Sequence, residues 1–101
     1  MAFSKYKADS DTAKLHRQEA GRHIRRWRED QQLTQRELSK LIKLDYYTFI
    51  SQVETGAARV PPESMAAWAK ALDVDLQNFA RTLLRHYDPH MFHALYGRDK
   101  E

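Results

Sequence analysis

Residues 33 to 56 read Leu33-Thr34-Gln35-Arg36-Glu37-Leu38-Ser39-Lys40-Leu41-Ile42-Lys43-Leu44-Asp45-Tyr46-Tyr47-Thr48-Phe49-Ile50-Ser51-Gln52-Val53-Glu54-Thr55-Gly56, two short amphipathic helices joined by a tight connection. The first helix opens on Thr34-Gln35-Arg36-Glu37, an S/T-x-x-E capping box, and sets Leu38, Leu41 and Ile42 on one face. The second is predicted to begin after Asp45, whose carboxylate can accept a backbone N–H two or three residues on, and to end near Thr55 before Gly56. Ile50 and Val53 point inward. Thr48, Ser51, Gln52 and Thr55 recur at i, i+3, i+4 and i+7, which gives the helix a polar outer face where a core helix would be apolar.

Helices continue on both sides. Upstream, a helix from Asp11 or Thr12 to about Gln31 places Leu15, Ala20, Ile24 and Trp27 in an inward stripe, preceded by a loose arm over residues 1–11 containing Lys5, Lys7, Asp9 and Ser10. Gly21 lies inside that helix, where glycine costs about 1 kcal/mol relative to alanine, so it implies either a close backbone approach or an early break. Downstream, Pro61 and Pro62 open a helix with Met65, Trp68, Ala69 and Leu72 inward. Asp75 caps the next, which carries Leu76, Phe79, Ala80 and Leu83. Asp88-Pro89 announces a last short helix that Gly97 ends. With no strand-like alternation and no repeat, the fold class is all-α.

The chain has 101 residues, a single-domain length with room for one modest core. It has no cysteine, which excludes disulfides and thiolate metal sites. No continuous apolar run marks a secretory leader or membrane span, so the expected location is cytoplasmic. The net charge of +3 is uneven. Residues 1–43 carry eleven Lys or Arg against six Asp or Glu, whereas residues 44–101 carry six against eight. The first half is therefore the electropositive end, of a kind that attracts polyanions with strong salt dependence, although basic helices are also commonly just solvated surface.

Taken together these elements resemble the lambda-repressor-like, Xre-type helix-turn-helix family over roughly residues 20 to 79. The likeness rests on Ile24 and Arg28, then Leu33-Thr34-Gln35 with Glu37-Leu38-Ser39, then Ile50-Ser51 with Val53-Glu54 and Gly56, and finally Trp68-Ala69-Lys70-Ala71-Leu72 with Val74. Two departures stand at the entry to the second helix of the pair. The span from Leu44 to Ile50 is one residue longer than the usual pattern, and Lys43 occupies a turn position where the family commonly has glycine. The resemblance implies a five-helix DNA-binding domain, here residues 12–80, and the extra C-terminal helical extension expected at 81–97 lies largely beyond it. The resemblance also implies a dimer acting on a two-fold symmetric operator, and so a sequence-specific regulator of transcription, expected to be a repressor.

The expected base-reading set is Tyr46, Tyr47, Thr48, Ser51 and Gln52. The major groove admits one α-helix, a glutamine amide can pair bidentately with adenine, and hydroxyls can donate or accept at base edges. For each tyrosine the competing reading is packing into the extended turn against the preceding helix. Expected phosphate partners are Thr34, Gln35, Arg36, Lys43, Thr55 and Arg59, with Gln35 resembling the family's phosphate-clamping glutamine. Arg22, Arg25 and Arg26 flank the inward stripe of the first helix, and solvated charge is the plainer reading for them. Arg28 and Glu54 match the family's paired arginine and glutamate, so the resemblance gives them a structural ion pair rather than a DNA contact.

Beyond residue 80 the chain is unusually aromatic. Leu84, Tyr87, Met91, Phe92, Leu95 and Tyr96 are a candidate dimer interface, the competing reading being that they close the core over the first helix. His86, His90 and His93 suggest metal ligands by spacing, but Pro89 interrupts the run, and no metal or cofactor is expected. No nucleophile stands beside a matched base, and no glycine-rich phosphate loop occurs, so the chain is not expected to be an enzyme. The competing class is an interaction protein: an antitoxin of this same fold, binding a toxin through the arm or the aromatic tail while regulating its own operon.

Overall fold

The computed structural model describes residues 2–97, with side chains from residue 11 onward. Six α-helices follow in order: α1 Ala2–Asp30, α2 Gln35–Leu41, α3 Thr48–Thr55, α4 Met65–Leu72, α5 Leu76–Tyr87 and α6 Pro89–Tyr96, with a 3-10 turn at Pro62–Ser64 before α4. No strand occurs among the described residues. The first helix corrects the expected arm, because α1 begins at Ala2 and no glycine or proline interrupts it before Gly21. The side chains of Lys5, Lys7, Asp9 and Ser10 lie outside the described residues.

The core forms where α1 crosses α3 and α5 and where α4 closes the far side. Ile24, Leu38, Ile50, Val53, Val60, Trp68, Leu72, Phe79 and Leu83 are fully buried in it. Burying such side chains contributes about 1.5 to 3 kcal/mol each, which offsets the chain entropy lost on folding. Trp68 meets Phe49 edge-on at 6.5 Å, and Trp27 lies over Phe79 at 5.5 Å, so α3 and α5 are each braced by an aromatic pair.

Three residues expected inward are not. Leu15 is 63% exposed, Leu41 56% and Leu76 47%. Helical periodicity gives the phase of an apolar stripe but not the length over which a partner covers it. Leu41 and Leu76 are terminal residues of their helices, and Leu15 lies five residues N-terminal to the first fully buried position on α1, Ala20.

Gly21 marks a crossing. A Cβ there would collide with the Glu54 carbonyl and stand 2.7 Å from that of Val53, so α3 lies backbone-to-backbone against α1. Gly56 repeats the arrangement at the other end of α3. Its φ of 88° is left-handed, and a Cβ would come within 2.8 Å of the Gln18 backbone nitrogen. Four helices end in the same left-handed turn, at Gln32, Lys43, Gly56 and Asp73, each with the following N–H reaching back to the carbonyl five residues earlier.

Candidate nucleic-acid interface

The helix pair is fixed by local chemistry at α2. The Thr34 hydroxyl accepts from the Glu37 N–H at 3.0 Å, and the Glu37 carboxylate accepts from the Thr34 N–H at 2.8 Å, a complete capping box. At the other end Lys43 adopts φ 61° and Leu44 donates to the Ser39 carbonyl at 2.9 Å. The position where a glycine was expected thus keeps a glycine-type conformation with a lysine in it, at a cost of about 1 to 2 kcal/mol for the left-handed backbone.

Asp45 does not cap the next helix. Tyr46 and Tyr47 intervene before α3 starts at Thr48, and no side chain caps it; the Ile50 N–H instead reaches the Tyr47 carbonyl at 3.0 Å. The additional turn residue is therefore taken up before the helix and leaves its inner face in register, with Ile50, Val53 and Glu54 buried. On the outer face Thr48, Gln52 and Thr55 are exposed and Ser51 is half-buried. Tyr46 is 75% exposed, while Tyr47 is 38% exposed and has the Arg36 guanidinium stacked 4.3 Å from its ring centroid. The competing reading of a tyrosine packed against the preceding helix thus describes Tyr47 in part and Tyr46 not at all.

Behind that face lies a buried polar knot. Arg28 donates through Nε to Glu54 Oε2 at 2.6 Å, through Nη2 to Oε1 at 3.1 Å, and through Nη1 to the Leu33 carbonyl at 2.7 Å. Hydrogen bonding to Glu54 raises the Arg28 pKa, with burial opposing it. Gln35 Nε2 donates to the same Glu54 at 3.1 Å. One carboxylate thereby ties α1, the start of α2 and α3 together, and the Gln35 amide that was expected to meet phosphate is engaged within the chain. Arg17 adds a bond from Nε to the Gly56 carbonyl at 2.8 Å.

The remaining expected phosphate partners divide by what holds them. Arg36 and Lys43 are exposed beside α3, and the Thr55 hydroxyl turns back to the Gln52 carbonyl at 3.3 Å. Arg59 is drawn the other way, pairing with Asp88 at 2.6 Å and lying 4.5 Å from the Tyr87 ring centroid. Arg22 pairs with Glu19 and Arg25 with Glu29 on the exposed side of α1, which suits the plainer reading of those arginines as solvated charge.

A helix-turn-helix family model matches residues 24–79, more than half of the chain. The chain belongs to the helix-turn-helix family. Its domain is of the lambda-repressor-like, Xre type, and it is a DNA-binding transcription regulator. No curated protein matches the chain. Within this helix-turn-helix protein the family's match begins at Ile24 and ends at Phe79, so most of α1, most of α5 and all of α6 lie outside it.

Two members of the expected dimer surface face inward. Tyr87 and Phe92 are buried, and the Tyr87 hydroxyl accepts from the Val60 N–H at 3.2 Å. Leu84 is half-buried, whereas Met91, Leu95 and Tyr96 are exposed. Sequence spacing missed the contacts of Tyr87 and Asp88 with residues 59 and 60, because no local signal joins positions nearly thirty residues apart. Among the described residues no group of three or more His, Asp or Glu is placed to hold a metal ion, and no helix is long and apolar enough to cross a membrane.

Proposed function

We propose that this regulator is a repressor that binds a two-fold symmetric operator as a homodimer, with α3 in the major groove. The observation that carries the reading is the outer face of α3, where Thr48 and Gln52 stand exposed beside Tyr46 while the opposite face is locked by Ile50, Val53 and the Arg28–Glu54 pair. A rigid helix with free amide and hydroxyl groups suits base reading. Gln52 reads adenine, Thr48 and Ser51 contact neighbouring edges, and Tyr46 and Tyr47 flank them. Arg36, Lys43 and the backbone N–H groups at the start of α2 hold phosphates; Thr34, Gln35, Thr55 and Arg59 border that track.

A dimer places two copies of α3 about 34 Å apart, one turn of DNA. Met91, Leu95 and Tyr96 on α6, with half-buried Leu84 on α5, supply an exposed apolar surface for that contact. The same surface favours a second reading, an antitoxin that binds a toxin there and regulates its own operon. Sedimentation that finds only monomer, with and without duplex, removes the dimer.

Selection of bound duplexes from a random pool tests the base-reading face. With Gln52→Ala, preference at one base position should collapse, a loss of about 1 to 3 kcal/mol of discrimination, while overall affinity for other positions is kept. An unchanged motif sinks the assignment of Gln52.

A further inference from the structure

On the opposite flank of α1 from Glu54, a second cluster of cationic groups collects where α1, α5 and α6 meet. A cleft of about 210 Å³ is lined by His23 from α1, by Asn78, Arg81, Thr82, Arg85 and His86 from α5, and by Phe92 from α6. No carboxylate lines it. Its small volume suits a compact polar group.

The cations are positioned but not neutralised. Arg85 lies 5.8 Å from the Phe92 ring centroid and Arg81 5.8 Å from that of Tyr96, within cation–π range. A cation–π contact holds a guanidinium beside a ring without using up its N–H donors, and among the described residues neither arginine forms an ion pair. The His23 and His86 rings stand 5.1 Å apart. Burial first, then His23, with Arg85 and His16 adding to it, lowers the His86 pKa. Glu19 alone opposes, and it is paired with Arg22. From α6 the cleft receives the apolar Phe92.

Two guanidinium groups, an amide, a hydroxyl and two imidazoles lining one cleft with no carboxylate among them form a receptor for a small oxyanion. We infer that the cleft between α1, α5 and α6 binds a small phosphate-bearing ligand. The phosphate group sits between the Arg81 and Arg85 forks, with His23 and His86 on its α1 side and Thr82 and Asn78 supplying further donors. Binding replaces the mutual repulsion of these groups by attraction, so His86 takes up a proton as the site fills. For an anion of constant charge, affinity therefore rises as pH falls towards the lowered His86 pKa. Because Phe92 walls the site, occupancy also holds α6 against the rest of the fold. None of this depends on which face of the protein meets DNA.

The test titrates the full chain with inorganic phosphate and with sulfate, whose charge is constant near neutral pH, against chloride at equal ionic strength. His86 is followed by the NMR shift of its ring Cε1–H, and stability by Tm. Phosphate and sulfate should raise the His86 pKa and Tm saturably, and the R81Q/R85Q double variant should bind at least tenfold more weakly while keeping its anion-free Tm. If chloride reproduces both changes in the unaltered protein, the effect is general screening and the site does not exist. A similar response in R81Q/R85Q overturns it as well, and this arm is read only on protein with native circular dichroism, the unaltered protein's chloride comparison deciding otherwise. Duplex affinity distinguishes the source of the phosphate. Affinity unchanged in R81Q/R85Q supports a free ligand, whereas a loss as large as that of Lys43→Gln assigns the groups to the DNA backbone and overturns the small-ligand reading.

Discussion

Two arginine–carboxylate pairs hold this molecule together at different depths. Arg28 and Glu54, inside the matched domain, have side chains only 11% and 4% exposed and share a network with Leu33 and Gln35. Arg59 and Asp88, joining the loop after α3 to the α5–α6 corner, are 46% and 45% exposed. Their closest contacts are equally short at 2.6 Å. Distance is thus a poor guide to strength. A buried carboxylate without its partner remains desolvated, whereas an exposed one returns to water at little cost.

Removing one member of each pair should break that comparison open. Arg28→Ala is expected to cost about 3 to 5 kcal/mol in chemical denaturation and to lose DNA binding through loss of the fold. If the variant keeps its Tm yet fails to bind, Arg28 is a DNA contact instead. Tyr87→Phe tests the buried part of the outer corner: the Val60 N–H loses its acceptor, and the fall in stability should be about 1 to 3 kcal/mol. Asp88→Ala, at the exposed part, should cost less than about 1 kcal/mol, and less still at high salt. It also releases Arg59 towards the DNA side, so duplex affinity at low salt should rise slightly in a filter or polarisation assay. A large stability loss from Asp88→Ala would mean that the corner, not the Glu54 knot, governs the fold.

The same contrast runs through what could be read in advance. The capping box at Thr34 and Glu37 and the left-handed Gly56 are local events, each set by residues within a few positions, and both stand where spacing put them. Gly21 carried a choice between a break and a close approach, and the α3 backbone at Glu54 and Val53 resolves it as an approach. Asp45 failed as a cap because two tyrosines entered between it and the helix, a matter of one added residue whose placement no periodicity reveals. The engagement of Gln35 with Glu54 and the turning of Tyr87 and Phe92 into the core were also out of reach. The Gln35 and Tyr87 bonds depend on partners 19 or more residues away in the chain.

By itself the sequence determined helices, their caps and the polar stripe of α3, since these follow from neighbours three or four residues apart along one rod. Only the tertiary structure decided which exposed-looking side chains are spent on the protein itself. Arg59 is held by Asp88 and Gln35 by Glu54, because such contacts join segments far apart in the chain and do not arise along any one helix.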